Sequence, residues 1–333
     1  MTTPPRRPMR LVPSAGLLLT LLACTNSDPL DPRPPASAAA VAAGWSIRTP
    51  MPTARGRFAA GVVNGVLYAV GGQGNAASLA TVEAYTPGGN AWTARASLPE
   101  SRSYLNAGVI KNVLYAAGGL DASGSPTATL YAYDPSRDTW TTRAPMPVAG
   151  ACGASGVIDD RLYVFTTDCD ESQLGGAPAF QRYNPKTDSW TALTLPTWGH
   201  YLPAAGVLGG KFYLAGGLFA TTDPIGNIGQ NVEAYDPATD SWTTRARAPS
   251  VRYQSAGAVV NGRLYVVGGG TGTEYQDLLD VYDPRTDSWQ TLVGMPTARG
   301  FLAAASLGGK VYALGGRTLE GYVAANEVYT PRP

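Results

Sequence analysis

Four arginines and the only histidine of this 333-residue chain fall at one point of a long sequence period. With the chain laid out on six recurring tyrosines, Arg55, Arg102, Gly150, His200, Arg252 and Arg299 stack in one column. Two residues later the column reads Arg57, Tyr104, Cys152, Leu202, Gln254 and Phe301, and Tyr253 stands between the two columns in the fifth repeat. Planar guanidinium forks suit carboxylates and phosphates, and aromatic faces suit sugar rings. If the columns meet in space, Arg55, Arg57, Arg102, Tyr104, His200, Arg252, Tyr253, Gln254 and Arg299 form a candidate ligand-binding ring. The arginines have a second reading, in which they bond loop carbonyls or a neighbouring repeat and touch no ligand. A lone histidine is more often a hydrogen-bonded residue than a metal ligand, and no catalytic role is assigned to His200.

Little else has the spacing of a reaction centre. Asp168, Asp170 and Glu171 crowd one stretch and could hold a cation or exchange protons, but a solvated loop is the simpler account. The chain has no phosphate-binding loop, dinucleotide fingerprint, zinc-ligand spacing or Gly-x-Ser-x-Gly elbow. The recurring Thr-Asp-Ser-Trp is a turn, not the Ser-x-Asp-x-Gly-x-Thr-Trp box of sialidases. Neither a cofactor nor a metal is expected.

The elements that must position the columns are strands. Val66-Leu67-Tyr68-Ala69-Val70-Gly71-Gly72 returns around Tyr115, Tyr213, Tyr265 and Tyr312, and in a damaged copy around Tyr163, at intervals of about fifty residues. Each unit opens with a strand of small and apolar residues, such as Arg57 to Asn64, that ends in a tight turn, here Asn64-Gly65. The tyrosine strand follows and stops at paired glycines. After a variable loop comes a third strand, Thr81 to Tyr85 in the first unit, and then a fourth carrying Trp92. Later copies spell out the last turn as Asp134-Pro135, Asp236-Pro237 and Asp283-Pro284, where Asp caps and Pro fixes φ.

Paired glycines after an apolar-Tyr strand, then a Tyr and a Trp at set spacing, resemble the kelch repeat over residues 45 to 333. The resemblance implies an all-β, six-bladed kelch β-propeller with four antiparallel strands per blade. Trp92, Trp140, Trp190, Trp242 and Trp289 are expected to pack between blades. The last unit ends at Tyr329-Thr330-Pro331 without a fourth strand, and Gly44-Trp45-Ser46-Ile47-Arg48 supplies the missing piece from the front. The ring is therefore expected to close through an N-terminal outer strand in the last blade, which removes an open edge. Kelch propellers include a copper oxidase of galactose, whose site needs two histidines and which one histidine excludes. They also include a sialic acid mutarotase, none of whose acid-base residues aligns here.

The third unit is the irregular one. Thr166-Thr167 replaces the glycine pair, and a hairpin turning at Asp159-Asp160 brings Cys152 within two residues of facing Cys169. A Cys152–Cys169 disulfide is expected in an oxidising compartment, with free thiols as the other state. The third cysteine, Cys24, ends Leu21-Leu22-Ala23-Cys24 after a short apolar run preceded by Arg6, Arg7 and Arg10. The segment resembles a lipoprotein signal, with Cys24 as the lipidated residue. Thr25, where an aspartate would favour retention at the inner membrane, implies by the same resemblance an anchor in the outer membrane.

The expected layout is a signal peptide over 1–23, a lipidated Cys and flexible tether over 24–43, and the propeller over 44–333. A hydrophobic content of 44% supports a large core, and a net charge of +1 gives no field to steer the chain to nucleic acid. These readings describe an exported monomer that meets membrane only through its anchor. It would bind a protein or glycan ligand through the loop-rich mouth of its channel. The alternative is a carbohydrate-active enzyme such as a mutarotase-like sugar epimerase.

Overall fold

A computed structural model describes residues 44–167, 169, 178–217 and 229–332. The signal segment, Cys24 and the tether lie outside these residues, as do Asp168, Asp170 and Glu171. Six four-stranded antiparallel sheets form the fold. In the first, Ala59–Val63, Val66–Val70, Val82–Thr86 and Ala91–Arg95 pair in chain order. Composition follows position. Innermost strands such as Asn106–Ile110 and Ala204–Leu208 carry small residues, because each lies beside the innermost strands of both neighbouring blades. Second strands such as Val113–Ala117 are apolar almost throughout, since both faces are covered. Outer strands such as Thr139–Arg143 are exposed apart from a half-buried Trp. At the first hairpin Asn64 and Gly65 both have positive φ, the conformation that matches strand twist.

The sixth blade pairs Ala303–Leu307, Lys310–Leu314 and Asn326–Tyr329 with Trp45–Ile47 on the outside. Trp45 lies opposite Tyr329 in register, their rings 5.4 Å apart, and Thr330 N–H donates to Gly44 O at 3.0 Å. Ala59–Val63 lies beside Ala303–Leu307, so the first blade meets the last.

Blades interlock at mid-height. A Cβ added to Gly61, Gly108 or Gly206 would lie 2.5 to 2.7 Å from a Leu methyl of the following blade, at Leu114, Leu162 or Leu264. Gly156 receives Phe212 in the same way. The fifth blade has Ala258 at this position and the sixth has the smaller Val311 opposite, in one core cluster. The exchange keeps the local volume, as close packing demands.

At the rim the tryptophans do more than fill space. Trp140 Nε1 donates to Ala96 O of the preceding blade's trailing segment, and Ala96 N–H donates back to Asp138 Oδ1, both at 2.8 Å. Buried Tyr133 gives its hydroxyl to the same carboxylate. The clasp recurs through Asp188, Asp240 and Asp287, each accepting from a Tyr at 2.5 to 2.6 Å. In the first blade Asn90 takes the part of the acid. These hydrogen bonds, the Tyr hydroxyl first, hold Asp138, Asp188, Asp240 and Asp287 below the usual carboxylate range. A carboxyl depressed on folding adds stability that is complete above its unfolded pKa and fades as pH falls through the lower folded value. The melting temperature is therefore expected to drop as pH falls below about 4. A D138N/D188N/D240N/D287N variant keeps an acceptor oxygen, as Asn90 does, and should show a flatter acid limb by scanning calorimetry. An unchanged limb would remove the clasps as its source.

Candidate functional site at the channel mouth

The chain enters each innermost strand through three residues with separate duties. The first is the cation column, and it is buried. Arg55, Arg252 and Arg299 are at most 1% exposed and Arg102 is 3% exposed. Arg55 Nη2 meets Glu83 at 2.9 Å, Arg252 meets Asp280 at 2.6 Å, and Arg299 meets Glu327 at 2.6 Å. Thr53 and Thr297 hydroxyls complete the acids Glu83 and Glu327. His200 belongs to the same series. Its Nδ1 is 2.7 Å from Gly216 O and its Nε2 is 3.2 Å from Glu233. Burial pushes Glu233 up, but hydrogen bonds from His200, Trp198 and Thr197 outweigh it and hold the carboxyl below its ordinary value.

These side chains hold blades together from within. Arg55 Nη1 also donates to Gly71 O and Thr81 O, at 2.8 Å each. The cation's own carbonyl binds the preceding blade: Gly72 N–H donates to Arg102 O, Gly269 N–H to Arg299 O and Gly316 N–H to Arg55 O. The glycine pair is needed there, because a Cβ on Gly71 would lie 2.8 Å from Arg102 O. In the second blade Tyr131 occupies the acid's position, and Arg102 turns to Glu100 and Thr129 instead. The third blade changes every part together. Gly150 stands for the cation because a Cβ would lie 2.4 Å from Thr166 Oγ1, and Gln181 stands for the acid, bonding Val148 N and O. Tyr253, from the column between, is buried with Tyr201.

The second column faces the axis. Arg57, Tyr104, Cys152, Leu202, Gln254 and Phe301 all have φ between 50° and 61°, a region that costs non-glycine residues about 1–3 kcal/mol. Backbone bonds from blade to blade hold it. Tyr104 N–H donates to Arg57 O, Arg57 N–H to Phe301 O, Phe301 N–H to Gln254 O, Gln254 N–H to Leu202 O and Leu202 N–H to Cys152 O. The six residues line a well of about 100 Å³. Cys152 sits at a bulge, where the pairing steps from Ala151–Thr167 to Ala154–Phe165, and is joined by a disulfide to Cys169.

Arg57 is the charged member of this layer. Its guanidinium lies 4.7 Å from the Tyr104 ring, 4.5 Å from Phe301 and 6.0 Å from Tyr322. Its Nε is buried without a hydrogen bond, and no carboxylate among the described residues pairs with it. The expected ring thus separates into two layers. Arg55, Arg102, His200, Arg252 and Arg299 are withdrawn into the blades, whereas Arg57, Tyr104 and Gln254 remain at the well. Among the described residues no cluster of three His, Cys, Asp or Glu side chains converges as a metal site requires.

Sequence reasoning did not find Glu83, Glu233, Asp280 and Glu327, yet each stands two residues before the third-strand tyrosine of a blade with a buried Arg or His in the first column. It also missed Tyr322, which comes from a small hairpin of Arg317–Thr318 and Gly321–Tyr322 at the loop position where Gly270 pairs with Tyr275 in the fifth blade. The two arginine classes should behave oppositely. Arg55→Met strands Glu83 in the interior and is expected to cost about 3–5 kcal/mol. Arg57→Met removes only a cation–π contact, worth about 1 kcal/mol. Urea denaturation of both variants measures the difference, and equal losses would erase the distinction.

Comparison with known proteins supports the architecture. The family described as the Attractin/LZTR1 beta-propeller matches residues 67–316. Kelch-like protein terF of Aspergillus terreus is 37% identical over 97 residues, 27% of this chain and 20% of that protein. Kelch-like protein 28 of Homo sapiens is 32% identical over 98 residues, 28% of this chain and 17% of that protein. The matched stretches thus span a fifth or less of these relatives. The solved structure of YjhT superposes with a TM-score of 0.72 at 16% identity, over 86% of this chain and 98% of that one, a likeness of fold alone.

Proposed function

The chain belongs to the Attractin/LZTR1 β-propeller family, a kelch-type propeller, and from that premise we propose that it is a binding protein. Its channel mouth takes an anionic group that projects from a protein or glycan. One observation carries this reading. Of the cations that the sequence places near the axis, Arg57 alone lines the well, caged by aromatic rings and without a carboxylate partner among the described residues. A well of about 100 Å³ lies below the roughly 300–1,000 Å³ that encloses a drug-sized ligand, so it fits a protruding group. A carboxylate suits a guanidinium fork best.

The sugar-epimerase reading draws support from the same arginine, which could hold a sugar carboxylate. It lacks an acid-base pair, because the described residues that line the well include no carboxylate and no imidazole. The proposal extends to the N-terminal segment, where Leu21-Leu22-Ala23-Cys24 supports export, lipidation at Cys24 and attachment at the outer membrane. The tether of 24–43 would then present a monomeric propeller to its partner.

A screen of the purified protein against glycans and cell-envelope proteins, repeated with Arg57→Gln, tests the function. Ligands found with the native protein should bind at least about tenfold more weakly to the variant, the size expected for losing a charge-assisted pair. Ligands that bind both proteins equally would move the site away from the mouth.

A further inference from the structure

The well does not stand alone. Gln254 lines it and also lines a second cavity of about 90 Å³, shared with Glu274 and Tyr275. That cavity in turn shares Glu274, Tyr275 and Leu319 with an open cleft of about 480 Å³, which Glu320 borders. Through these shared residues the three cavities adjoin. Together they make a trough from Arg57 at the axis outward between the fifth and sixth blades, with Gln254 and Tyr275 at its divisions.

The geometry of the trough is built in. Gly270 pairs with both Tyr253 and Tyr275, folding the fifth-blade loop back so that Tyr275 reaches the Phe301 ring, 6.5 Å away. A Cβ at Gly300 would lie 2.8 Å from the Tyr275 ring and 3.0 Å from Gln254 Oε1, so glycine there leaves room for both. On the far wall the Arg317–Thr318 and Gly321–Tyr322 hairpin is pinned to the first blade, where Tyr322 N–H donates to Asn75 Oδ1 at 3.1 Å. The turn of this hairpin lifts Leu319 to 81% exposure, the highest among the exposed large hydrophobic residues.

The charges along the trough have opposite signs at its two ends. Arg57 lies at the inner end. Glu274 and Glu320 lie at the outer end, both exposed and neither ion-paired among the described residues. Arg317 stacks on Tyr322, 5.7 Å from its ring, and does not line the cleft. Between the ends lie the Tyr275 ring and, standing out from the hairpin turn, the Leu319 side chain. An exposed leucine beside an aromatic ring, rimmed by charge, is the composition of a recognition surface. Common glycans supply carboxylates but few cations or aliphatic side chains, whereas a polypeptide supplies all three.

We infer that the mouth binds an extended polypeptide segment carrying a carboxylate for Arg57, an aliphatic side chain for Tyr275 and Leu319, and a cationic side chain for Glu274 and Glu320. The inference rests on the binding-protein reading above and names the partner's chemistry.

The test uses fluorescein-labelled heptapeptides and the full-length protein, followed by fluorescence anisotropy. The probe peptide has a glutamate near one end, a central leucine and a lysine near the other. Three controls change the glutamate to glutamine, the leucine to serine, or the lysine to glutamine. The probe should bind about tenfold more tightly than each control, and more weakly as salt rises. The E274Q/E320Q variant, altered only at exposed positions, should lose the preference for lysine over glutamine yet keep the preference for glutamate. Leu319→Ser should remove the preference for leucine. A probe that binds no better than its lysine-to-glutamine control, a preference that survives E274Q/E320Q, or no peptide binding at all overturns the inference. Should peptides fail while a glycan binds in an Arg57-dependent manner, the partner is wrong and the binding function stands. If every ligand found in the wider screen ignores Arg57→Gln, the binding reading falls as well.

Discussion

Six strands converge on one axis, and the backbone must turn at the point where each arrives. The ladder of N–H to carbonyl bonds among Tyr104, Arg57, Phe301, Gln254, Leu202 and Cys152 makes that turn possible. It over-determines a positive φ that these side chains would otherwise avoid. Because the ladder is made of backbone, the side chains it carries are free to differ. An arginine, two aromatics, an amide, a leucine and half of a disulfide occupy equivalent positions without disturbing the fold. Variation is thus tolerated at the one place where it can be read by a partner.

Behind this layer lies the opposite arrangement, in which side chains are constrained and do the holding. A buried cation is acceptable only when paired. Arg55, Arg252 and Arg299 meet that condition with acids from the third strand of their own blade, where Glu233 also bonds His200. The carbonyls of these three arginines meanwhile engage glycines of the blade before. The rim clasps repeat the principle farther out, with Trp, Tyr and Asp joining consecutive blades. The third blade dispenses with the cation only because its glycines became threonines, its acid became Gln181, and a disulfide was added nearby.

How much of this is legible in the sequence depends on whether a feature repeats. Strand order, blade number and the outer strand borrowed from Trp45–Ile47 all follow from the periodic glycines, tyrosines and tryptophans. The arginine column is equally plain, but its destination is not. A column shows where the Cα atoms lie, whereas burial depends on an acid some thirty residues further on. That acid also repeats, so the pairing of Arg55 with Glu83 or Arg299 with Glu327 was within reach of a two-column reading. The trough was not. Glu274, Tyr275, Leu319 and Glu320 lie on loops that turn alike in the first, fifth and sixth blades, but whose side chains do not repeat, so no column singles them out.

The borrowed strand has a kinetic consequence. Trp45 pairs with Tyr329 only when segments nearly the whole chain apart meet, although the other blades close within fifty residues or so. Loop-closure entropy rises only as about (3/2)RT ln n, so the cost at equilibrium is modest. Folding speed is more sensitive, because contacts of large sequence separation slow the search. Five blades can assemble as the chain emerges, but the sixth must wait for its last strand. Until then the first and fifth blades each leave an apolar sheet face uncovered at the gap, and these faces are where misassembly would begin.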